Sequence, residues 1–600
     1  MSYSRLSLHV LKRGASAGLC VSFGLGPVLL CEDPAAQESI LDTAEPSYVE
    51  NWSGTHKINT KKYLQPEDIR EVEEMVMESH KNKRRLRVVG NALSPNGIGF
   101  SEDSMLSLGL CDRVLAVNRV RREVTVEAGA RVQQVVDALK PFGLTLQNFA
   151  SISEQQVGGF ISVGAHGTGA NIPPVDDQVV AMEIVTPGLG TIELSLESNS
   201  ELFHLAKVSL GALGVVTHVT LKCVPLERLR EETKVMTRSE VAAQHESLLR
   251  NNKHLRYMWI PYTDKVVVVT CNSMMSRRTT IPPSYLVTCE GAEEHAEGPE
   301  DSEDKAAALE PLQQLLRSIQ HKDISHMEHM GFAELRDKLL EVDPLNKHWV
   351  AKCNQAEAEF WTRNQGSRID FADRILGFEC GGQQWVNEVA FPAGTVRSPS
   401  GTDLAYMAEL MRLIESSEIP APTPIEQRWT CSSRSIMSPA YSQNPHALFS
   451  WVGIIMYLPP DEQARKSITS SFFNYRDLCK EKLWPKYGCV EHWAKIERPR
   501  NPAEAESTRK RLRNRFPVQD FNEVSGPNNY KQTPPILPSA QFFCSPSRSV
   551  RFWTPTTLWP MTTSTSCWGR QAPTLSEISE RSPSLWMAEA EYGSDQGGLS

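Results

Sequence analysis

The chain of 600 residues is 40% hydrophobic and 22% charged, which is typical of a folded protein with more than one core and excludes a chain disordered throughout. Its 63 Lys and Arg against 72 Asp and Glu give a net charge of -9, and basic residues form only short clusters, so a nucleic-acid partner is disfavoured. The 13 Cys include no CxxC pair and no cluster with zinc-ligand spacing, so neither a disulfide framework nor a metal site is predicted.

The first 31 residues differ from the rest because they contain no acidic residue. Arg5, Lys12 and Arg13 are basic and Ser is frequent, which is the composition of an organelle presequence. A secretory signal fits the same letters, since the basic start is followed by the apolar run 15–31. That run is at the low limit for spanning a bilayer, and its Gly and Pro residues weaken it as a helix. We therefore expect residues 1–46 to be a presequence, with a membrane-associated segment as the alternative.

Alternating helix and strand patterns follow from residue 47 to about residue 229. A helix is predicted over 66–81, because Pro66 suits a first turn and Glu67 and Asp68 lie near the positive end of its dipole. A second helix is predicted over 131–140. Runs of β-branched residues predict strands at 86–89, 123–128, 179–185, 191–194 and 215–223. The pattern indicates an α+β domain.

A second mixed domain is predicted from residue 230 to residue 522, with strands at 265–270, 378–391 and 448–458 and amphipathic helices at 309–319 and 403–414. Acidic and small residues predominate at 290–304, which indicates a solvated insertion. Residues 523–600 contain 30 Ser, Thr or Pro residues and show no sustained helical or strand period. This composition predicts a disordered tail.

Two glycine-rich segments are the candidates for binding chemistry. The first, RRLRVVGNALSPNGIGF at 84–100, follows a predicted strand, and its glycines let backbone N–H groups approach a pyrophosphate. Its spacing matches neither GxGxxG nor the P-loop. The second, SISEQQVGGFISVGAHGTG at 151–169, combines glycines with the hydroxyls of Ser162 and Thr168. That combination suits a long phosphorylated cofactor lying against the main chain.

In this order, and separated by VTVEAGARVQQVVDAL at 124–139, the two segments resemble the FAD-binding domain of the vanillyl-alcohol oxidase flavoprotein family. The match continues through SLGALGVVTHVTL at 209–221. Within the family, NWSGTH at 51–56, IEQRW at 425–429 and HWAK at 492–495 resemble the sugar-lactone oxidoreductases, most closely the plant galactonolactone dehydrogenases. The resemblance implies a PCMH-type FAD-binding domain at 47–229 and an α+β substrate (cap) domain at 230–522 that returns to the flavin domain at its end.

The resemblance also implies FAD as the cofactor. The residues that it places at the cofactor are Val89, Gly90, Asn91, Ala92, Leu93, Ser94, Ala150, Ser151, Gly158, Gly159, Ser162, Gly167, Thr168, Val216 and His492. Ala150 stands where oxygen-using relatives tend to carry Gly, so its methyl group is expected to keep oxygen from the flavin edge; the alternative is that Ala150 only packs. We expect His166 to be structural or flavin-adjacent.

Glu426 and Arg428 are the candidate substrate residues. They stand at i and i+2, so on a strand both side chains face the same side and can hold a polyhydroxylated lactone. The resemblance assigns Arg428 to the substrate oxygen and the reduced flavin, Glu426 to the reacting hydroxyls, and Lys495 of the HWAK motif to a polar contact with flavin or substrate. An ordinary cross-strand ion pair is the alternative for the first two residues.

The resemblance implies oxidation of L-galactono-1,4-lactone to L-ascorbate in the mitochondrion, at the inner membrane or in the intermembrane space, with cytochrome c as electron acceptor. A gulonolactone-type oxidase that uses oxygen is one alternative. An assembly factor for respiratory complex I, with its assembly intermediates as partners, is the alternative from another class. After Asn522 the chain departs from the family pattern, since FPVQDFN is followed by EVSGPNNYKQ. Loss of that closing segment is expected to weaken FAD binding or to prevent stable folding.

The first prediction concerns the flavin linkage. Leu93 stands where many relatives carry a His that bonds covalently to the flavin, and a Leu side chain has no nucleophilic atom. After acid precipitation of the purified protein, an absorption spectrum should therefore find the flavin in the supernatant. Yellow colour in the protein pellet would contradict the assignment of Leu93.

Overall fold

The structure, a computed structural model, describes residues 46–274, 302–319, 330–377 and 382–516. The predicted presequence up to residue 45, the predicted insertion up to residue 301 and the predicted tail lie outside the described residues. The same holds for residues 378–381 of a predicted strand and for the chain after Phe516, including the departure from the family pattern.

The amino-terminal part begins with an antiparallel pair, β1 (Ser47–Glu50) and β2 (Lys57–Thr60). A small parallel sheet in the order β3-β5-β4 follows; its elements are β3 (Lys62–Leu64), α1 (Ile69–Lys81), β4 (Arg87–Val89) and β5 (Ser104–Ser107). The buried side of α1 carries Val72, Met75 and Val76 at helical spacing, so the helix covers the core with one face.

A second, antiparallel sheet has the order β10-β9-β11-β7-β6, and β8 also pairs with β11. Its strands are β6 (Val114–Asn118), β7 (Glu123–Glu127), β8 (Leu144–Leu146), β9 (Val179–Thr186), β10 (Gly190–Ser195) and β11 (Val215–Pro225). Its helices are α2 (Val132–Leu139), α3 (Val157–Ser162) and α4 (Ser200–Ala206). Helix α3 therefore begins in the second glycine-rich segment, while the first segment follows β4.

A third sheet of eight antiparallel strands has the order β15-β12-β14-β13-β17-β18-β16-β19. Its strands are β12 (Arg228–Thr237), β13 (His254–Trp259), β14 (Lys265–Ser273), β15 (Gly366–Phe371), β16 (Gln384–Thr395), β17 (Ile425–Cys431), β18 (Ala447–Tyr457) and β19 (Val490–Glu491). The helices of this part are α5 (Arg238–Asn251), α6 (Ser302–Arg317), α7 (Phe332–Val342), α8 (Lys347–Arg363), α9 (Ala372–Leu376), α10 (Thr402–Ser416), α11 (Glu462–Lys482), α12 (Trp484–Tyr487) and α13 (Pro502–Arg515).

The third sheet has an apolar face and a face that carries charged groups, because alternate residues of a strand point to opposite sides. Tyr257 and Trp259 of β13 and Trp429 of β17 are buried in a core shared with α5, α10 and α11. The neighbouring Arg428 lies on the opposite face and lines a cavity together with Gly167 of the amino-terminal part. The charged face of the third sheet is thus turned toward the glycine-rich segments.

The structure confirms the predicted elements within the described residues and corrects several boundaries. Helix α1 begins at Ile69 rather than Pro66, because the Asp68 side chain caps it by accepting from the N–H groups of Arg70 and Glu71 at 2.9 and 3.1 Å. Helix α6 begins at Ser302, so residues 302–304 belong to a helix and not to the solvated insertion. The strand predicted from residue 378 begins at Gln384.

Gly129, two residues after β7 and next to the cleft-lining Ala128, provides a test of this packing. A Cβ at this position would lie 1.8 Å from the Leu108 carbonyl oxygen, which is a backbone atom and cannot rotate away. Gly129→Ala should therefore lower the free energy of unfolding by about 1–3 kcal/mol or more in chemical denaturation. Gly366→Ala is the control, since a Cβ there meets nothing within 4 Å. Equal stabilities of the two variants would contradict the close packing at Gly129.

Candidate cofactor and substrate site

A cleft lies between the first two sheets. It encloses about 1030 Å³ of empty space, part of which is open to solvent. Both glycine-rich segments line it. Of the residues predicted at the cofactor, the lining includes Val89, Gly90, Asn91, Ala92, Leu93, Ser94, Gly158, Gly159, Ser162 and Val216.

The NWSGTH segment at 51–56 holds the loop after β4 in place through two hydrogen bonds. The Trp52 N–H donates to the Ala92 carbonyl oxygen at 2.9 Å, and the Asn51 side-chain amide donates to the Ser94 carbonyl oxygen at 3.0 Å. Ala92 adopts a left-handed conformation with φ 53°, which is uncommon for a residue with a side chain. The tight loop thus depends on contacts that the neighbouring segment supplies.

The HWAK segment fixes the same loop from the carboxyl-terminal part of the chain. The Asn96 side-chain amide donates to the carbonyl oxygens of Trp493 and Ile496 at 2.9 and 2.8 Å. Asn96 is 2% exposed, so these hydrogen bonds lie away from solvent. Three segments that are far apart in the sequence therefore meet at one loop of the cleft.

The cleft presents polar groups and free space of the kind that a phosphorylated cofactor needs. The backbone N–H groups of residues 91–94 donate no hydrogen bond within the described part of the chain. The side-chain oxygen of Gln155, which also lines the cleft, is buried without a hydrogen-bond partner there. A Cβ added at Gly159 would meet nothing within 4 Å. Successive unpaired N–H groups form an anion-binding concavity, so the residues present fit the pyrophosphate of FAD.

The end of the second segment joins the third sheet and does not line the cleft. The Gly169 N–H donates to the Trp429 carbonyl oxygen at 2.7 Å, and the Cys431 N–H donates to the Ile172 carbonyl oxygen at 3.1 Å. Burial lowers the pKa of His254 to about 4, and the neutral ring donates from Nδ1 to the Thr168 carbonyl oxygen at 2.6 Å. The segment thereby runs alongside β17 like a short additional strand.

Gly167 and Thr168 were predicted at the cofactor, and the structure places them outside the cleft lining. Both line a second, smaller cavity of about 370 Å³, which Arg428 and Arg256 also line. A Cβ at Gly167 would lie 2.2 Å from the Phe149 carbonyl oxygen, so a glycine is required there by packing. The Thr168 hydroxyl donates to the Leu255 carbonyl oxygen. Ala150 and Ser151 are half-buried and lie outside the lining of both cavities.

Glu426 and Arg428 share one face of β17, as their spacing predicted. Arg428 Nε lies 3.2 Å from Glu426 Oε2, and Arg256 Nη1 on β13 lies 3.6 Å from Glu426 Oε1. Arg428 Nη2 donates to Glu388 Oε1 at 2.7 Å, and Lys495 Nζ donates to Glu388 Oε2. Cations and carboxylates thus alternate across the sheet from β13 to the turn after β19.

The sequence analysis missed Arg256 and Glu388 of this cluster, and Glu388 is the more buried of the two. It lies in β16, is 2% exposed and accepts from three side chains. Burial alone would raise its pKa, but Lys495, His166 and Arg428 outweigh that effect and hold the pKa well below its usual range. The signal in the sequence is one acidic residue within the apolar strand WVNEVAF, where a buried carboxylate requires a partner.

His492 is buried beside the cluster and does not line the cleft. Its Nδ1 accepts from the Ala494 N–H at 3.1 Å and so caps the 3-10 turn Trp493–Lys495. Ligand atoms of His166, Glu388 and His492 lie within 4.8 Å of one another, which is short enough for a metal ion. However, both oxygens of Glu388 are already occupied by cations, whose charge would repel a metal ion.

Family models and known proteins match most of this chain. A family model described as FAD binding domain matches residues 60–195, and one described as D-arabinono-1,4-lactone oxidase matches residues 219–289 and 313–502. The mitochondrial L-galactono-1,4-lactone dehydrogenase of Arabidopsis thaliana is 52% identical over 479 residues, which cover 79% of this chain and 78% of the relative. The chain belongs to the L-galactono-1,4-lactone dehydrogenase family.

Other relatives of this family and of its fold are more distant. The mitochondrial L-galactono-1,4-lactone dehydrogenase 1 of Oryza sativa subsp. japonica is 49% identical over 79% of this chain and 80% of its own. L-gulonolactone oxidase of Bos taurus is 28% identical over 74% of this chain and 88% of its own. A solved cholesterol oxidase from B. sterolicum has a TM-score of 0.56 at 14% identity, covers 79% of this chain and 94% of its own, and shows the fold alone.

Membership of the family confirms three predictions from the sequence. The chain binds FAD, it is an FAD-dependent oxidoreductase, and its fold class is α+β with a vanillyl-alcohol oxidase (PCMH-type) flavin domain. The roles of the individual site residues remain predictions.

Gly159 provides a direct test of the cleft as the cofactor site. A leucine side chain at this position would extend into the open space of the cleft, whereas an alanine methyl group would intrude little. Gly159→Leu should therefore raise the dissociation constant of FAD by at least about tenfold, which corresponds to about 1.4 kcal/mol of binding free energy, and should purify with less flavin than the wild type. Gly159→Ala is expected to keep most of its flavin. The flavin-to-protein absorbance ratio measures both, with circular dichroism as the control for folding. A fully loaded, folded Gly159→Leu protein would place the cofactor elsewhere.

Proposed function

We propose that the chain oxidises L-galactono-1,4-lactone to L-ascorbate, with FAD as the hydride acceptor and cytochrome c as the final electron acceptor. The observation that carries the proposal is the buried Arg428, which lies between two carboxylates on the face turned toward the glycine-rich segments. A guanidinium and a carboxylate side by side offer donors and acceptors to the hydroxyl groups and carbonyl oxygen of a sugar lactone. The 52% identity to a plant enzyme of that name supports this substrate.

Bound FAD supplies the redox chemistry by accepting a hydride equivalent from the lactone carbon that bears the reacting hydroxyl group. The residues of the chain supply position and charge. Arg428 holds the oxygen on which negative charge develops as the hydroxyl proton leaves for solvent, and the half-buried Glu426 accepts from a substrate hydroxyl. Lys495 provides a second cation next to Arg428, because both residues donate to the carboxylate of Glu388. The resulting ketone tautomerises to the ene-diol of ascorbate.

Ala150 supports a dehydrogenase over an oxidase. It lies half-buried against the core of the flavin domain, in the segment that leads to the second glycine-rich region. We propose that its methyl group narrows the approach of oxygen to the flavin edge and that electrons leave to cytochrome c. The L-gulonolactone oxidase of Bos taurus, at 28% identity, represents the alternative that uses oxygen.

The plant relatives are named mitochondrial, and we propose the same compartment for this chain, at the inner membrane or in the intermembrane space. Among the described residues, no helix is long and apolar enough to cross a bilayer. Interaction with assembly intermediates of respiratory complex I is a second proposed role, which does not require turnover of the lactone.

The assay follows lactone-dependent reduction of cytochrome c, with hydrogen peroxide measured in parallel. The wild-type protein should reduce cytochrome c with little peroxide. Arg428→Ala should lower the rate by about 10²–10³-fold, the usual effect of removing one group that stabilises developing charge, while the bound flavin keeps its colour. Arg434→Ala is the control, because Arg434 is half-exposed and pairs with Asp177.

Two other results would contradict the proposal in different ways. Peroxide release at the rate of lactone oxidation would identify an oxidase that uses oxygen. A flavin that stays oxidised in the presence of lactone would leave only the non-catalytic role in assembly.

A further inference from the structure

Glu388 holds two cations of the proposed site on the two oxygens of one carboxylate. Arg428 Nη2 donates to Oε1 at 2.7 Å, and Lys495 donates to Oε2, which also contacts His166 Nε2 at 3.2 Å. The Glu388 side chain is 3% exposed, whereas the side chains of Arg428 and Lys495 are 9% and 17% exposed. The carboxylate therefore lies beneath the cations, which keep a surface of their own.

The sheet register explains how Arg428 reaches this carboxylate. Strand β18 lies between β17 and β16, and Gly453 of β18 is opposite both Glu426 and Glu388. The nearest atom to a Cβ built at Gly453 would be Glu388 Oε1, at 4.0 Å. Because Gly453 has no side chain, the Arg428 guanidinium crosses over β18 and meets Glu388 two strands away.

The charges of the cluster require the carboxylate. The guanidinium of Arg428 and the ammonium group of Lys495 are both largely removed from water, where two like charges repel strongly. An anion between them offsets that repulsion and fixes both groups through hydrogen bonds. The cations in turn keep the pKa of Glu388 well below its usual range against the effect of burial, so it stays ionised at neutral pH.

We propose that Glu388 is a positioning residue that fixes Arg428 and Lys495 side by side for contact with the substrate. The proposal rests on the proposed function, since it assigns both cations to the lactone site. Glu388 acts through these two residues and not by contact with the reacting atoms.

Glu388→Gln keeps the shape of the side chain and removes its charge. It should lower kcat/KM for the lactone by about 100-fold, as expected when reacting groups shift by about 1 Å. Glu388→Asp keeps the charge on a shorter side chain and should recover part of that loss. In the Lys495→Met background the same Glu388→Gln change should cost at least about fivefold less, because coupled residues give non-additive effects. If Glu388 had a purely structural role, Glu388→Gln would lower kcat/KM by the same factor in the wild-type and Lys495→Met backgrounds.

Thermal unfolding of the wild type, Glu388→Gln, Lys495→Met and the double variant, followed by far-ultraviolet circular dichroism, gives a second readout. Glu388→Gln should lower the Tm because it removes the anion between two largely desolvated cations and leaves only Arg428 with a second carboxylate, Glu426. Adding Lys495→Met should raise the Tm of that variant, since it removes one of the cations. If Glu388→Gln does not fold, the double variant is still expected to fold, and an unfolded double variant would overturn the proposal.

Glu491→Gln is the matched control. Glu491 is also a buried glutamate of the third sheet, 6% exposed, and it pairs with Arg511 instead of the site cations. It should leave kcat/KM unchanged. The proposal would be overturned if Glu388→Gln and Lys495→Met acted independently, so that their effects multiplied in kcat/KM and added in the Tm. A wild-type protein that oxidises no lactone would overturn the proposed function alone, and the unfolding comparison would then decide whether Glu388 couples the two cations.

Discussion

The whole site depends on the backbone hydrogen bonds that join the second glycine-rich segment to the third sheet. Gly169 and Ile172 bond to either side of Thr430 on β17, and His254 bonds to the Thr168 carbonyl oxygen. These contacts fix the position of the Arg428 backbone relative to the cleft. A cofactor site in one part of the chain and a cation in another can act on the same substrate only if such a rigid connection exists.

The second constraint is electrostatic. Five charged side chains from four parts of the chain lie in one alternating row, Arg256, Glu426, Arg428, Glu388 and Lys495. Each carboxylate has a cation on both sides, so the cost of removing charge from water is offset locally. One cation remains in excess of the carboxylates, and a net positive charge suits a site in which an alcohol oxygen loses its proton.

The sequence was sufficient for the features that depend on local spacing. The glycine-rich segments, the shared face of Glu426 and Arg428 and most helices and strands follow from patterns within a few residues. Glu388 could not be found in this way, because its partners Arg428 and Lys495 are 40 and 107 residues distant and come close only through the pairing of β16 with β18 and β19. A sequence also does not show which cavity a residue lines, and the structure places Gly167 and Thr168 at the second cavity and not at the cleft. The division of the chain after residue 229 remains a prediction.

Amide hydrogen exchange tests the central claim that the two glycine-rich segments together bind the dinucleotide. The N–H groups of residues 91–94 have no acceptor within the described chain, so they should exchange rapidly in protein stripped of flavin. Addition of FAD should slow exchange there and at residues 156–163 together. The account would be contradicted if added FAD slowed amide exchange elsewhere in the chain but left exchange at residues 91–94 and 156–163 unchanged.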